Sequence, residues 1–361
     1  MTGILARYLA RAILATSALV LFVLLVLAAI FGFVGELDDV GEGSYGVLDA
    51  ATYVALTLPG MAYELFAPAV LLGSLLGLGG LAANSELAVM RAAGMSNARI
   101  VGAVLLAGLV PALGVVLVGE TLMPSAARAA EELRLSALEE RASGGAGDGL
   151  WVRSGPRYVS IGTVLADRTL LDVTVHEFDG TRLVRATRAA RASLEDGAWW
   201  LDGASVTDLD REAATVVRTE RLAWESLAPD APELVDPSVL SSLSTEPEAL
   251  SMRQLADQAG YLRANSLESR EVELALWTKL AAPLSTLVML MLSLPFAFGA
   301  RRGGGAGQKI FLGIMLGIGY VLVSRLLVQL ALNGGFGPAA SAFLPVVLFA
   351  LVAAAGVRRI G

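Results

Sequence analysis

Residues Asn84–Ser96 read NSELAVMRAAGMS, a polar-edged segment set between two long apolar runs. The spacing predicts a short helix with a defined start and stop. Ser85 is placed to cap its N-terminus, Glu86 sets a carboxylate in the first turn against the helix dipole, and Gly94 offers a C-terminal stop. Leu87 and Met90 lie three apart and share one face. A short capped helix between two membrane spans has no place among lipid tails. It belongs at a membrane surface, where it is free to touch another molecule.

The runs on either side dominate the composition. Of the 361 residues, 55% are hydrophobic and 17% charged, against about 25% charged in an average soluble domain. The charge collects in one polar block in the middle of the chain. A net charge of −7 without any basic stripe argues against nucleic-acid binding. The absence of cysteine excludes disulfides, thiolate catalysis, iron–sulfur clusters and cysteine zinc sites. The single histidine, His176, excludes multi-histidine metal centres. The first apolar run is too long for a cleavable signal peptide and lacks a small-residue cleavage site.

Working outward from the short helix, six spans are expected. Ala12 to Gly35 is an uncharged run of 24 residues, enough to cross a bilayer. Span two lies near Leu65–Ala83, where Gly73, Gly77, Gly79 and Gly80 suggest close helix packing. Span three covers Ile100–Gly119, with Pro124 opening the soluble block. Spans four, five and six cover Leu280–Ala300, Ile310 to about Ala331 and Ala339–Val357. The N-terminus, the Asn84–Ser96 segment, the Arg301–Lys309 loop and the C-terminus carry Arg or Lys, whereas Glu36–Ser44 and Asn333–Pro338 carry none. The positive-inside rule then puts both termini and the short helix in the cytoplasm.

The middle block changes period. Ser125–Arg141 reads as a helical connector and Ser143–Gly149 as a glycine-rich loop. Short β-type runs follow at Tyr158–Ile161, Leu171–Phe178, Leu183–Leu194, Trp199–Leu201 and Thr215–Trp224. Asp179-Gly180, Asp196-Gly197 and Asp202-Gly203 separate them with hairpin chemistry. An antiparallel sandwich, roll or barrel of roughly 100 residues is expected. Pro229–Pro247 is a linker, and Ser251–Gln254 has capping-box spacing before a helix. A second helical stretch, Ser266–Trp277, leads into span four. The expected division is therefore 1–124 with three spans, 125–265 with the β domain and its connectors, and 266–361 with three more spans.

GEGSYG (Gly41–Gly46), LLGSLLGLGGLA (Leu71–Ala82), SELAVMRAAGMS (Ser85–Ser96), GLWVR (Gly149–Arg153) and LWTKLAAPLSTLVMLMLSLPFAFG (Leu276–Gly299) together resemble the LptF/LptG permease family of lipopolysaccharide export ABC transporters. The last stretch resembles its LptG branch more than its LptF branch. The resemblance covers nearly the whole chain. It implies an inner-membrane permease of a Gram-negative bacterium, six transmembrane helices in a 3 + 3 arrangement, and an inserted all-β, jellyroll-like periplasmic domain. It also implies partners: an LptF-like second permease, a dimeric LptB-like ATPase, an LptC-like single-span protein and a periplasmic LptA-like bridge. The cargo would be lipopolysaccharide. The chain itself would hold no cofactor and have no catalytic residues, ATP and magnesium being used by the ATPase.

Candidate residues follow from the resemblance. Glu86 matches the coupling-helix glutamate that pairs with an ATPase arginine; alternatively it only offsets the helix dipole, worth about 0.3–1 kcal/mol. Leu87, Val89, Met90 and Arg91 are the other expected ATPase contacts. Arg325 is the one charge well inside a span, and it either binds a lipid phosphate, serves as a structural pair or snorkels toward the periplasmic surface. Gly32, Asp38 and Asp39 fall where family members hold substrate phosphates with lysines near the end of span one, and Phe33, Asp38 and Asp39 are the substrate-contact candidates there. Carboxylates there would repel phosphate unless a divalent cation bridged them or basic residues of the partner permease neutralised them. Arg301–Lys309 (RRGGGAGQK) lacks the Gly-Lys-Ser/Thr and the preceding strand of a phosphate-binding loop. His176 reads as packing rather than chemistry. Trp199, Trp200 and Trp224 read as core or rim of the β domain. Rival readings are a lipoprotein-releasing or other envelope-lipid ABC permease, a membrane-anchored envelope enzyme and a purely structural anchor.

Overall fold

The computed structural model describes residues 2–137, 150–154, 157–164, 169–195, 198–209, 214–227, 234, 246–264, 267–298 and 306–358. Six helices are long and apolar enough to cross a membrane. Three precede the β domain: α1 (Thr2–Glu36), α2 (Val47–Ala83) and α4 (Asn97–Leu117), with the short α3 (Glu86–Ala92) between the last two. α4 passes through a π-turn (Val118–Leu122) into α5 (Met123–Ala137). After the β domain come α6 (Trp224–Leu227), a 3-10 turn (Pro247–Ala249) and α7 (Met252–Ala264). The last three spans are α8 (Arg270–Phe298), α9 (Ala306–Leu332) and α10 (Pro338–Arg358).

Small residues set the closest approach. α1 lies along α2, and a Cβ added at Gly73 would overlap the backbone of Ser17. The Thr16 hydroxyl donates to the Gly73 carbonyl across the same contact at 2.7 Å. Gly108 on α4 makes room for Leu290 of α8 in the same way. One core joins Leu9 and Ile13 of α1, Leu78 and Leu81 of α2, Ile100 and Val104 of α4, and Leu290 and Leu294 of α8. A second core joins α2, α8 and α10 through Leu71, Met289, Leu292, Val346 and Phe349.

Three expected boundaries are placed on the helices. Span two belongs to a helix that begins at Val47 rather than Leu65, because Asp49 accepts from the Gly46 N–H at 2.9 Å and fixes an earlier start. Pro59 and Pro68 lie inside it without ending it. Pro124, expected to open the soluble block, falls just past the π-turn. It is the second residue of α5 in a helix that runs on from α4 without a break, so its missing N–H falls inside helical backbone. Lys279, expected at the edge of span four, lies within α8, 4% exposed.

The β domain is one six-stranded antiparallel sheet in the order β1 (Leu150–Ser154), β2 (Arg157–Val164), β3 (Leu170–Asp179), β4 (Arg182–Glu195), β5 (Ala198–Leu209) and β6 (Ala214–Ala223). Each strand pairs with its sequence neighbour, leaving β1 and β6 as edges among the described residues. Val152, Val159, Ile161, Val173, Val175, Trp199, Leu201 and Trp224 fill one face. Asp179-Gly180 is the turn it was expected to be, with Gly180 at φ +62°. Asp202-Gly203 is not a turn. Gly203 has φ +64°, yet it lies within β5, and the pairing resumes in register on both sides. Asp196-Gly197, the Ser143–Gly149 loop and nearly all of the Pro229–Pro247 linker lie outside the described residues. So does the Arg301–Lys309 loop up to residue 305. The capping box is present: the Ser251 N–H donates to Gln254 Oε1 at 3.0 Å and the Gln254 N–H to Ser251 Oγ at 3.4 Å.

Candidate functional site

The surface helix α3 is seven residues long and ends as the sequence suggests. Gly94 adopts φ +91°, its N–H donates to Arg91 O at 3.0 Å, and the Met95 N–H donates to Met90 O at 3.1 Å. That pair of bonds is a Schellman stop, and Met95 is buried with Met90 beneath it. The start differs from expectation. Ser85 takes the left-handed conformation at φ 61° and its side chain makes no capping bond, so the turn is set by backbone geometry.

The two faces of α3 divide its candidate residues. Leu87 and Met90 are 3% and 5% exposed and pack into the core with α1, α2, α4 and α8. Their apolar surface holds the helix to the bundle, which leaves the exposed face to other residues of α3. Val89 is 64% exposed and Arg91 also faces out. Glu86 lies at the edge between the faces, and its Oε2 accepts from the Tyr8 hydroxyl of α1 at 2.8 Å. This bond turns the carboxylate toward the N-terminal end of α1. Tyr8 carries a signal that could not be read from the sequence, since it is 78 residues away.

At the other end of α1, two carboxylates of the acidic segment share one arginine of the same chain. Arg134 of α5 donates to Glu36 Oε1 at 3.3 Å and to Asp39 Oδ2 at 2.5 Å, and its guanidinium lies over the Tyr53 ring. The other Glu36 oxygen accepts from the buried Tyr45 hydroxyl at 2.9 Å. Burial, together with that carboxylate, pushes the Tyr45 phenol upward from its ordinary range. The Ser44 N–H and hydroxyl both donate to Ala137 O. The loop after α1 is thus clamped to the end of α5. Asp39 is held in this clamp, Asp38 is exposed, and Phe33 is half-buried one turn below. Arg134, a base of the same chain, thus pairs with Glu36 and Asp39.

Arg325 is exposed on α9, and among the described residues it makes no ion pair within 4 Å. Its field reaches Glu248 of the 3-10 turn. Burial against the bundle, then Glu64, Glu246 and Glu271, raise the Glu248 carboxyl, and Arg325 works against that rise. Phe33, Asp38 and Asp39 are not in contact with Arg325 in any interaction among the described residues.

Sequence reading missed one polar centre. Lys279 Nζ of α8 donates to the Gly119 carbonyl at 2.7 Å, lies 3.9 Å from Glu120 Oε1 and sits 5.6 Å from the centre of the Tyr63 ring. A lysine at the edge of an apolar run looks like a span boundary, so only the fold reveals its carbonyl. On the outward face of the sheet, Trp151 stacks on His176 with centroids 6.0 Å apart, and Tyr158 meets Phe178 edge to face. These side chains line an open hollow of about 600 Å³. The described residues contain no grouping of His, Cys, Asp and Glu able to hold a metal.

The family model described as lipopolysaccharide export system permease LptF/LptG matches residues 7–359. The LptG permease protein of Escherichia coli is 30% identical over 355 residues, covering 97% of this chain and 96% of that protein. The LptG protein of Haemophilus influenzae is 31% identical over 351 residues, with the same coverage. Six apolar helices divided three and three around one antiparallel β domain, and a match that runs almost from end to end, lead to one conclusion: this chain belongs to the LptF/LptG family of lipopolysaccharide export system permeases, and is of the LptG type.

Proposed function

We propose that this chain is a permease subunit that helps extract lipopolysaccharide from the inner membrane and pass it toward a periplasmic bridge. The full-length match to export permeases of that lipid carries this reading. The subunit works without catalytic residues of its own. Energy enters through α3, whose outward Glu86, Val89 and Arg91 form the docking surface for a dimeric LptB-like ATPase. Leu87 and Met90 turn that surface into a lever by fixing it to four spans at once. ATP-driven closure of the ATPase squeezes the cavity between this chain and an LptF-like permease. The lipid then leaves along the β domain, with an LptC-like single-span protein beside the pair and an LptA-like bridge beyond it.

The distribution of Arg and Lys supports cytoplasmic termini and a periplasmic β domain. Arg325, on the exposed side of α9, is the proposed contact for lipid phosphate. The outer end of α1, including Phe33 and Asp38, borders the same exit. The test is co-purification of the tagged chain from its native membrane, for wild type and Glu86→Lys. Wild type is expected to bring down an ATPase, a second six-span permease and lipopolysaccharide, and the variant to lose the ATPase alone. A wild-type preparation without any ATPase, under conditions that keep other ABC complexes intact, would refute the reading.

A further inference from the structure

The chain from α4 to α5 must pass Pro124, and that residue creates a defect with a definite address. A proline ring collides with the carbonyl four residues before it, here Glu120, and supplies no N–H. The helix answers with the π-turn Val118–Leu122, in which the Met123 N–H reaches back to Val118 O. The next donor in that pattern, for Gly119 O, would be residue 124, which is the proline. The Gly119 carbonyl is therefore left to find another partner. Lys279 of α8 supplies it, buried at 4% exposure and 2.7 Å away. Tyr63 of α2 closes the other side, and a Cβ at Gly119 would press into its ring.

The same turn holds the return path from the β domain. Both oxygens of Glu120 accept from the Met252 N–H at 3.1 Å, at the N-terminus of α7, and Glu120 lies 3.9 Å from Lys279. α5, leading out to the β domain, and α7, leading back, are thus fastened at one point. α4 has 21 residues, or about 31 Å at 1.5 Å each, so this point lies where the helix leaves the hydrocarbon layer. Beyond it, α5 reaches the outer end of α1 through Arg134.

Resting on the permease reading above, we infer that Lys279 is a positioning residue of transport. It sets the direction of α5 and α7 at the π-turn, and so carries movement of α3 and α4 to the β domain. Its role is distinct from that of the docking helix, because it acts at the end of α4 away from α3.

The experiment uses the full complex in proteoliposomes, with lipopolysaccharide as cargo and a soluble periplasmic acceptor. The variants are Lys279→Met, Pro124→Ala and the double variant. Lys279→Met is expected to cut lipid transfer at least tenfold while ATP hydrolysis stays within twofold of wild type, and to lower thermal stability. Pro124→Ala restores a backbone N–H, so the double variant is expected to regain stability but not transfer. Because the chain has no cysteine, spin labels at Glu132→Cys and Ala340→Cys report the direction of α5. Their distance distribution is expected to be narrow in wild type and broad in Lys279→Met. Transfer at the wild-type rate by Lys279→Met, an unchanged distance distribution, or recovery of both stability and transfer in the double variant would each overturn the inference. If wild type itself moves no lipid, the permease reading fails, and the distance measurement still judges the joint by itself.

Discussion

Gly73 and Gly80 belong to one glycine-rich run of α2, yet their surroundings assign them opposite roles. A methyl at Gly73 meets the backbone of Ser17, whereas one at Gly80 meets nothing within 4 Å. Backbone cannot move aside as a side-chain tip can, so Gly73→Ala should cost about 1–3 kcal/mol through overpacking. Gly80→Ala should be neutral or stabilising by up to about 1 kcal/mol through helix propensity. Thermal unfolding in detergent distinguishes the two, and equal behaviour would contradict the packing. Arg134→Met is the second residue-scale prediction. It leaves Glu36 without one partner and Asp39 without its ion pair. Because the guanidinium is a third exposed, solvent compensates much of the loss, and about 1 kcal/mol of destabilisation is expected. The same measurement checks it, and a loss of several kcal/mol would mean that the clamp is far drier than its exposure indicates.

At the scale of the element, α3 shows how a helix of seven residues can be firmly placed. A helix this short is not stable by hydrogen bonding alone. Leu87 and Met90 hold it by burial, and the left-handed Gly94 ends it. Leu87→Ala should therefore destabilise the chain by about 2–5 kcal/mol, the range for emptying a buried leucine site. Val89→Asp should leave stability unchanged, since the side chain is 64% exposed. In the proposed complex it should nevertheless release the ATPase. Thermal midpoints and ATPase recovery on the tagged chain test both halves, and loss of stability in Val89→Asp would contradict the assigned faces. The asymmetry has a simple cause: one side of the helix is core and the other is available.

For the whole molecule, the spans are buried very unevenly. None of the most apolar window of α1 is buried within the chain and only 17% of that of α9, against 61% for α2. α2 is the hub on which α1, α8 and α9 pack, while α1 and α9 present broad apolar faces to lipid or to a second permease. The acidic surface at the outer end of the bundle adds a pH dependence. Burial and neighbouring carboxylates raise Glu248, so its protonated form favours the fold. That contribution is fully present below the ordinary carboxylate value of about 4.3 and is lost as pH rises through the raised folded value. Glu248→Gln mimics the protonated form. It should raise the thermal midpoint at pH 7.5 and make no difference near pH 4. A larger benefit at the lower pH would reverse the assigned sign.

Much of this protein is determined by sequence alone, because the relevant physics is local or periodic. Hydrocarbon thickness fixes the length of an uncharged run, so six spans are legible without coordinates. A two-residue alternation broken by Asp179-Gly180 marks strands, and Ser251 with Gln254 marks a helix start within four residues. Gly94 announces a stop because so few residues accept a positive φ. What depends on residues far apart in the chain was decided only by the tertiary structure. Leu87 and Met90 look like any exposed apolar pair until four spans close over them. Asp39 looks like an unpaired carboxylate until α5 brings Arg134 to it. Gly203 follows an aspartate just as Gly180 does, but long neighbouring strands keep it inside β5. Lys279 looks like the charged end of a span, and it acquires a meaning only because Pro124, more than 150 positions away, leaves one carbonyl without a donor.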